Sequence, residues 1–152
     1  MAITASGYFG LTLEKMFTNA AALNLETAAD LKVGMITDSA TPNFDTHDFW
    51  ADLSANEVTD SLSVYVAGGK APTTPAVTVG SPAAGQIRFS IDNVSWAASS
   101  ISNAMASVVY HDTPNDELFV LNDFVTAAST SNGTFTIDWN DTNGVGYFDF
   151  TP

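Results

Sequence analysis

The 152-residue chain is predicted to fold as a mainly β domain, an antiparallel β-sandwich or small barrel carrying one or two short helices. Three observations predict it. Short runs alternate apolar with polar side chains, the signature of half-buried strands. Turn signals such as Gly68-Gly69, Asn132-Gly133 and Asn143-Gly144 interrupt those runs at close intervals. The length suits one hydrophobic core, so residues 1–152 form one β-rich domain, with residues 1–25 as an N-terminal arm or short helix.

The elements follow in chain order. Leu13, Met16, Phe17 and Ala20 fall at helical spacing, which predicts a short helix within Thr12–Ala22. Leu23–Leu25 opens a strand, and Leu31–Thr37 (LKVGMIT) is a clearer one between polar flanks. Asp45 or Thr46 is placed to cap a helix over residues 46–56, with Asp48 in its first turn and Phe49, Trp50 and Leu53 as its apolar stripe. Leu62, Val64 and Val66 alternate with Ser63, Tyr65 and Ala67 and predict a strand that Gly68-Gly69 stops. Pro72, Pro75 and Pro82 make the next stretch a loop or an edge, because proline cannot donate to a ladder. Gln86–Ile91, Ala104–Tyr110, Glu117–Leu121, Thr134–Trp139 and Val145–Phe150 complete the strands, with His111–Asp116 as a hairpin loop.

Composition excludes whole classes of function. Seventeen acidic residues face only four basic ones, Lys15, Lys32, Lys70 and Arg88, for a net charge of −13. Nucleic-acid binding neutralises phosphates with Lys and Arg, so no nucleic-acid partner is expected. An anionic membrane surface repels such a chain for the same reason, and no apolar run approaches the ~20 residues that span a bilayer. The absence of cysteine removes disulfides, thiol catalysis and thiolate metal sites. The start, Met1-Ala-Ile-Thr-Ala-Ser-Gly7, lacks a basic n-region and a long apolar h-region, so synthesis without export is expected.

Candidate chemical residues are few. Asp45-Thr-His47-Asp48 sets an imidazole among carboxylates, but catalytic zinc takes three protein ligands and the chain has only two histidines, so helix capping is the expected role. His111-Asp112 with Asp116 and Glu117 reads as a solvated hairpin loop, since no G-x-S-x-G elbow accompanies the fourteen serines. Asp138, Asn140 and Thr142 are spaced like calcium-loop donors, with Asp149 at the twelfth place. The glycine, Gly144, comes one residue late, so a hairpin turn is expected there and no metal or other cofactor. Asn93-Val-Ser95, Asn132-Gly-Thr134 and Asn140-Asp-Thr142 are glycosylation triplets, without meaning in a chain expected not to be exported. No catalytic residue is assigned, and the chain is expected not to be an enzyme.

The segment Thr41–Glu57, TPNFDTHDFWADLSANE, followed by Val58-Thr59 and then Tyr65-Val-Ala-Gly-Gly69, resembles a family of small tailed-bacteriophage proteins encoded beside head and tail genes. The family's pattern is approximately T-P-N-x-D-T-H-D-F-W-x-D-V-S-x-N-E-V with a Tyr-x-Ala-Gly-Gly close by. Asp92-Asn-Val-Ser-Trp96, Ser107-Val-Val-Tyr-His-Asp-Thr113 and Gly133-Thr-Phe-Thr-Ile-Asp-Trp139 are similar to further family motifs, in one order, across most of residues 31–150. The chain departs from the family at Ser61-Leu-Ser-Val64, where a glycine is usual, and in the longer proline-rich stretch Lys70–Pro82.

The resemblance implies a virion structural protein, most simply a capsid decoration protein docked on the outside of the major capsid protein lattice after assembly in the host cytoplasm. The charge agrees with the outer face, since packaged DNA would repel the chain. A homo-oligomer is expected, a trimer among its possible states. The aromatic residues Phe49, Trp50 and Trp96 are expected to anchor contacts, because aromatics dominate interface energies. The alternative is a tail or tail-fibre component, including a carbohydrate-binding attachment module that stacks sugars on tryptophan.

Overall fold

In the computed structural model, which describes residues 3–113 and 115–151, nine antiparallel strands form three sheets. Met1 and Ala2, where the leader reading begins, and Pro114 in the His111–Asp116 loop lie outside the described residues. The central sheet has the order β1-β7-β6-β2, built from β1 (Gly7–Tyr8), β2 (Leu31–Thr37), β6 (Ala104–His111) and β7 (Glu117–Ala128). A second sheet joins β3 (Ala76–Val79), β4 (Gln86–Ser90) and β9 (Gly146–Asp149) in the order β3-β4-β9, and β5 (Val94–Ser99) pairs with β8 (Gly133–Ile137). The mainly β, sandwich-like architecture agrees with the alternating runs of the sequence.

Both faces of the central sheet are covered, and this explains its composition. All eight residues of β6 are buried. Strands covered on two sides read as continuous apolar runs rather than alternations, as Ala104-Met-Ala-Ser-Val-Val-Tyr110 does. On one face Leu31, Val33, Met35, Val109 and Phe119 pack against Phe89, Trp96, Phe135 and Ile137 of the two smaller sheets. On the other face Ile36, Val108, Tyr110, Leu118 and Leu121 lie under Phe9, Trp50 and Leu53, which lie outside the strands.

Two predicted elements are replaced. The expected helix over 46–56 is a pair of single 3-10 turns, Trp50–Asp52 and Ser54–Asn56. Neither Asp45 nor Thr46 caps it. Asn43 Oδ1 instead accepts from the N–H groups of Asp45 and Thr46, closing a turn that ends before Trp50. The expected strand through Leu62–Val66 is a turn region, and Leu62, Val64 and Val66 are exposed. Asp60 captures that chain: its carboxylate accepts from the N–H groups of Leu62, Val64, Tyr65 and Ser100. Those donors are then lost to any ladder. Leu23–Leu25 likewise forms no strand, while the helix α1 (Gly10–Thr18) starts and ends earlier than the 12–22 span expected.

Candidate functional site

Burial decides first which aromatics can reach a partner. Trp50 is only 7% exposed and Trp96 only 3%, so both belong to the interior and not to an exposed contact patch. The Trp50 ring lies flat against Tyr110, 4.9 Å between centroids and 4° between planes. It also rests on β2 at Gly34, where a Cβ would stand 2.6 Å from the ring. Trp96 packs against Tyr65 and lies beneath the Lys70 ammonium, 4.9 Å from its centroid. Phe49 alone of the three stays partly open, 36% exposed, with Lys15 Nζ 4.3 Å over its ring. Trp139 is buried too, its indole N–H donating to the Asp92 carbonyl. The three tryptophans therefore offer no open platform for stacking a sugar.

The segment Thr41–Gly69 builds the layer that covers the central sheet. Asp52 Oδ2 accepts from the N–H groups of Asp48 and Phe49 at 2.9 and 3.0 Å. The Phe49 and Asp48 N–H bonds hold its carboxyl below the ordinary value. Glu57 Oε1 accepts from the Tyr65 hydroxyl at 2.7 Å and from the Gly68 N–H. Burial nonetheless raises the Glu57 carboxyl, its removal from water outweighing those two donors and the nearby Lys32 charge. Tyr65 Oη in turn accepts from the Met35 N–H of β2. Gly69, at φ +72°, passes so close to β2 that a Cβ would meet the Val33 carbonyl oxygen at 1.9 Å, and Lys70 then exchanges backbone hydrogen bonds with Val33. These side chains clip a covering segment to the edge strand β2.

The two histidines are also structural in position. His47 Nδ1 accepts weakly from the Asn43 N–H at 3.4 Å. His111 is not in a solvated loop: it is the last residue of β6, buried, and its Nε2 accepts from the Asn24 N–H at 3.1 Å. Glu117, paired opposite it at the start of β7, is buried as well, one carboxylate oxygen accepting from Asn115 and the other unbonded within the protein. Removal from water raises the nearby Asp116 carboxyl, and Asp112 adds to the shift. No serine hydroxyl bonds to either imidazole among the described residues.

The calcium-like loop does not converge. Asn140 Oδ1 accepts from the N–H groups of Thr142 and Asn143, an Asx turn, and Asp138 accepts from Asn93 Nδ2. The guanidinium of Arg88 already occupies the carbonyls of Asp141 and Thr142 at 3.1 Å, and Asp149 is held by Gln86 and Thr151. The donor set therefore does not fit a calcium ion. Beside this loop a polar cleft of about 480 Å³ runs between Thr73, Arg88, Asp92 and Asn140. Several of its side chains are bonded to one another or to backbone: Thr73 to Asp92, and Asn93 to Asp138 and Trp139.

A second open feature is apolar. A groove of about 260 Å³ runs between α1 and the β3-β4-β9 sheet, its lining apolar throughout. Phe89 and Phe119 of the main core form its floor, Leu13, Met16 and Phe17 one wall, and Ile87, Phe148 and Phe150 the other. Helical spacing predicts that Leu13, Met16 and Phe17 share one face of α1, but not that Phe17 is left exposed at the groove. Around this groove the protein is anionic, and each base is held internally. Lys15 pairs with Asp48 and Lys32 with Asp112, Lys70 donates to the Ser95 carbonyl, and Arg88 is bound as described. No helix is long and apolar enough to cross a membrane among the described residues. No protein-family model matches the chain, and neither does any curated protein or solved structure.

Proposed function

We propose that the chain is a non-enzymatic structural protein of a tailed-phage particle, a decoration protein that docks as a homo-oligomer on the outside of the major capsid protein lattice. The ordered motifs between residues 31 and 150 suggest the virion role. The single structural observation that favours docking over chemistry is how the polar side chains are used. Both imidazoles, the Glu57–Tyr65 pair and the Asp52 and Asp60 carboxylates are engaged in holding backbone. The open groove, by contrast, is apolar. Many copies on a lattice gain avidity without strong single contacts, and an excess of acid keeps undocked copies apart.

Antibody labelling of purified particles tests the reading. Label spread over the heads is the expected result. Label confined to the tail would replace it with the tail-component reading, and absence of the protein from washed particles would overturn both.

A further inference from the structure

We infer that the groove between α1 and the β3-β4-β9 sheet receives an apolar segment of another protein whose flanks carry lysine or arginine. The inference rests on the reading of the chain as a docking module, and it adds the chemistry of the partner. Phe17 is 84% exposed and Phe150 65%, and both line a channel whose floor is the main core. Large rings left open beside a core-deep channel mark an interaction surface more than a fold requirement. The volume, about 260 Å³, lies just under the ~300–1,000 Å³ of small-molecule pockets, so it suits a few inserted side chains rather than a whole metabolite. A sugar, nucleotide or ion would meet no hydrogen-bonding group in the lining.

Charge chooses among apolar occupants. Two exposed carboxylates stand beside lining residues: Glu26, which accepts from the N–H of Val77, and Glu14, next to Leu13 on α1. The one base on α1, Lys15, is held by Asp48 at 2.5 Å and so does not neutralise them. A second copy seated here would bring the same carboxylates against these, within a chain of net charge −13, and an anionic bilayer would be repelled likewise. Cationic flanks turn that repulsion into attraction and steer the encounter.

Fluorescence anisotropy on the full chain tests the inference with three labelled synthetic peptides of equal length. The first has a leucine–phenylalanine centre and lysine flanks, the second the same centre with glutamate flanks, the third a serine centre with lysine flanks. The first is expected to bind at least about tenfold more tightly than the others, and Phe17→Ser or Phe150→Ser to weaken it about tenfold. Both rings are exposed, so these variants retain the fold. The double variant Glu14→Gln, Glu26→Gln keeps every apolar wall and the Glu26 acceptor for the Val77 N–H. It is expected to bind the lysine-flanked peptide more weakly and with a flatter response to salt.

Equal binding of the lysine- and glutamate-flanked peptides, or wild-type affinity in Phe17→Ser, would overturn the inference. Sedimentation of the wild type as an oligomer that Phe17→Ser converts to monomer would overturn it in favour of a second copy. The two proposals fail separately. Absence from particles leaves the peptide result standing, whereas a groove that binds no peptide on a protein still found on heads removes the groove alone.

Discussion

At Gly34 the missing side chain is a seat. The Trp50 ring occupies the space above it, and an added Cβ would stand 2.6 Å from the ring. Gly34→Ala is therefore expected to lift the ring and cost about 1–3 kcal/mol, the usual range for overpacking a filled interior. A urea midpoint unchanged from wild type would show that the ring is not seated there. Asp52 acts through charge instead. Because the N–H bonds from Phe49 and Asp48 hold its carboxyl below the ordinary value of 3.8, the stability it contributes is present above that value and is lost as the pH falls through the lower folded value. Asp52→Asn is expected to cost about 1 kcal/mol near neutral pH, a typical cap contribution. The gap to wild type should close on acidification below the ordinary carboxylate range. Thermal melts of both proteins across acid pH measure this directly, and a gap independent of pH would assign the loss to shape alone.

Among elements, the covering layer of 3-10 turns is held by packing more than by its own helical bonds. Trp50→Ala is expected to cost about 3–5 kcal/mol, as for a large aromatic removed from a core. Phe49→Ala, truncating a half-open ring, should cost under about 1 kcal/mol. Chemical denaturation of the pair checks the ordering, and near-equal losses would contradict the burial assigned to Trp50. The same contrast explains what the sequence made legible. β2, β4, β6 and β8 follow from their own apolar patterns, because each buries at least one face. β7 runs on to Ala128 well past its apolar part, its far end paired with β6 across a register shift, where Ala104 faces Ala128. No pattern within β7 itself carries that information. The spans 46–56 and 62–66 failed for a related reason. Asn43 and Asp60 redirect backbone N–H groups into local turns, and such competition outweighs the helical or alternating spacing of the side chains around it. Trp50 and Trp96, expected at the surface, lie in the core because a tryptophan's residue type cannot tell an inner from an outer position. The groove was unreadable for a different cause: its walls come from α1, β4 and β9, brought together only by tertiary packing.

At the scale of the whole molecule, the protein is a three-layer body with β6 at its centre, and this central placement sets how it comes apart. All eight residues of β6 are shut from solvent, one side by the paired smaller sheets and the other by the clipped segment carrying Trp50. Peeling away either cover would leave half of β6 wetted and its apolar side chains uncompensated. Native-state hydrogen exchange should therefore find the β6 amides the slowest in the chain, opening only with global unfolding. Faster exchange in β6 than in β4 would refute that order. On the proposed capsid role, a copy pulled by an expanding or pressurised shell would then behave as an all-or-nothing fastener. It holds its full shape up to the load at which it lets go entirely, with no half-opened state that stretches.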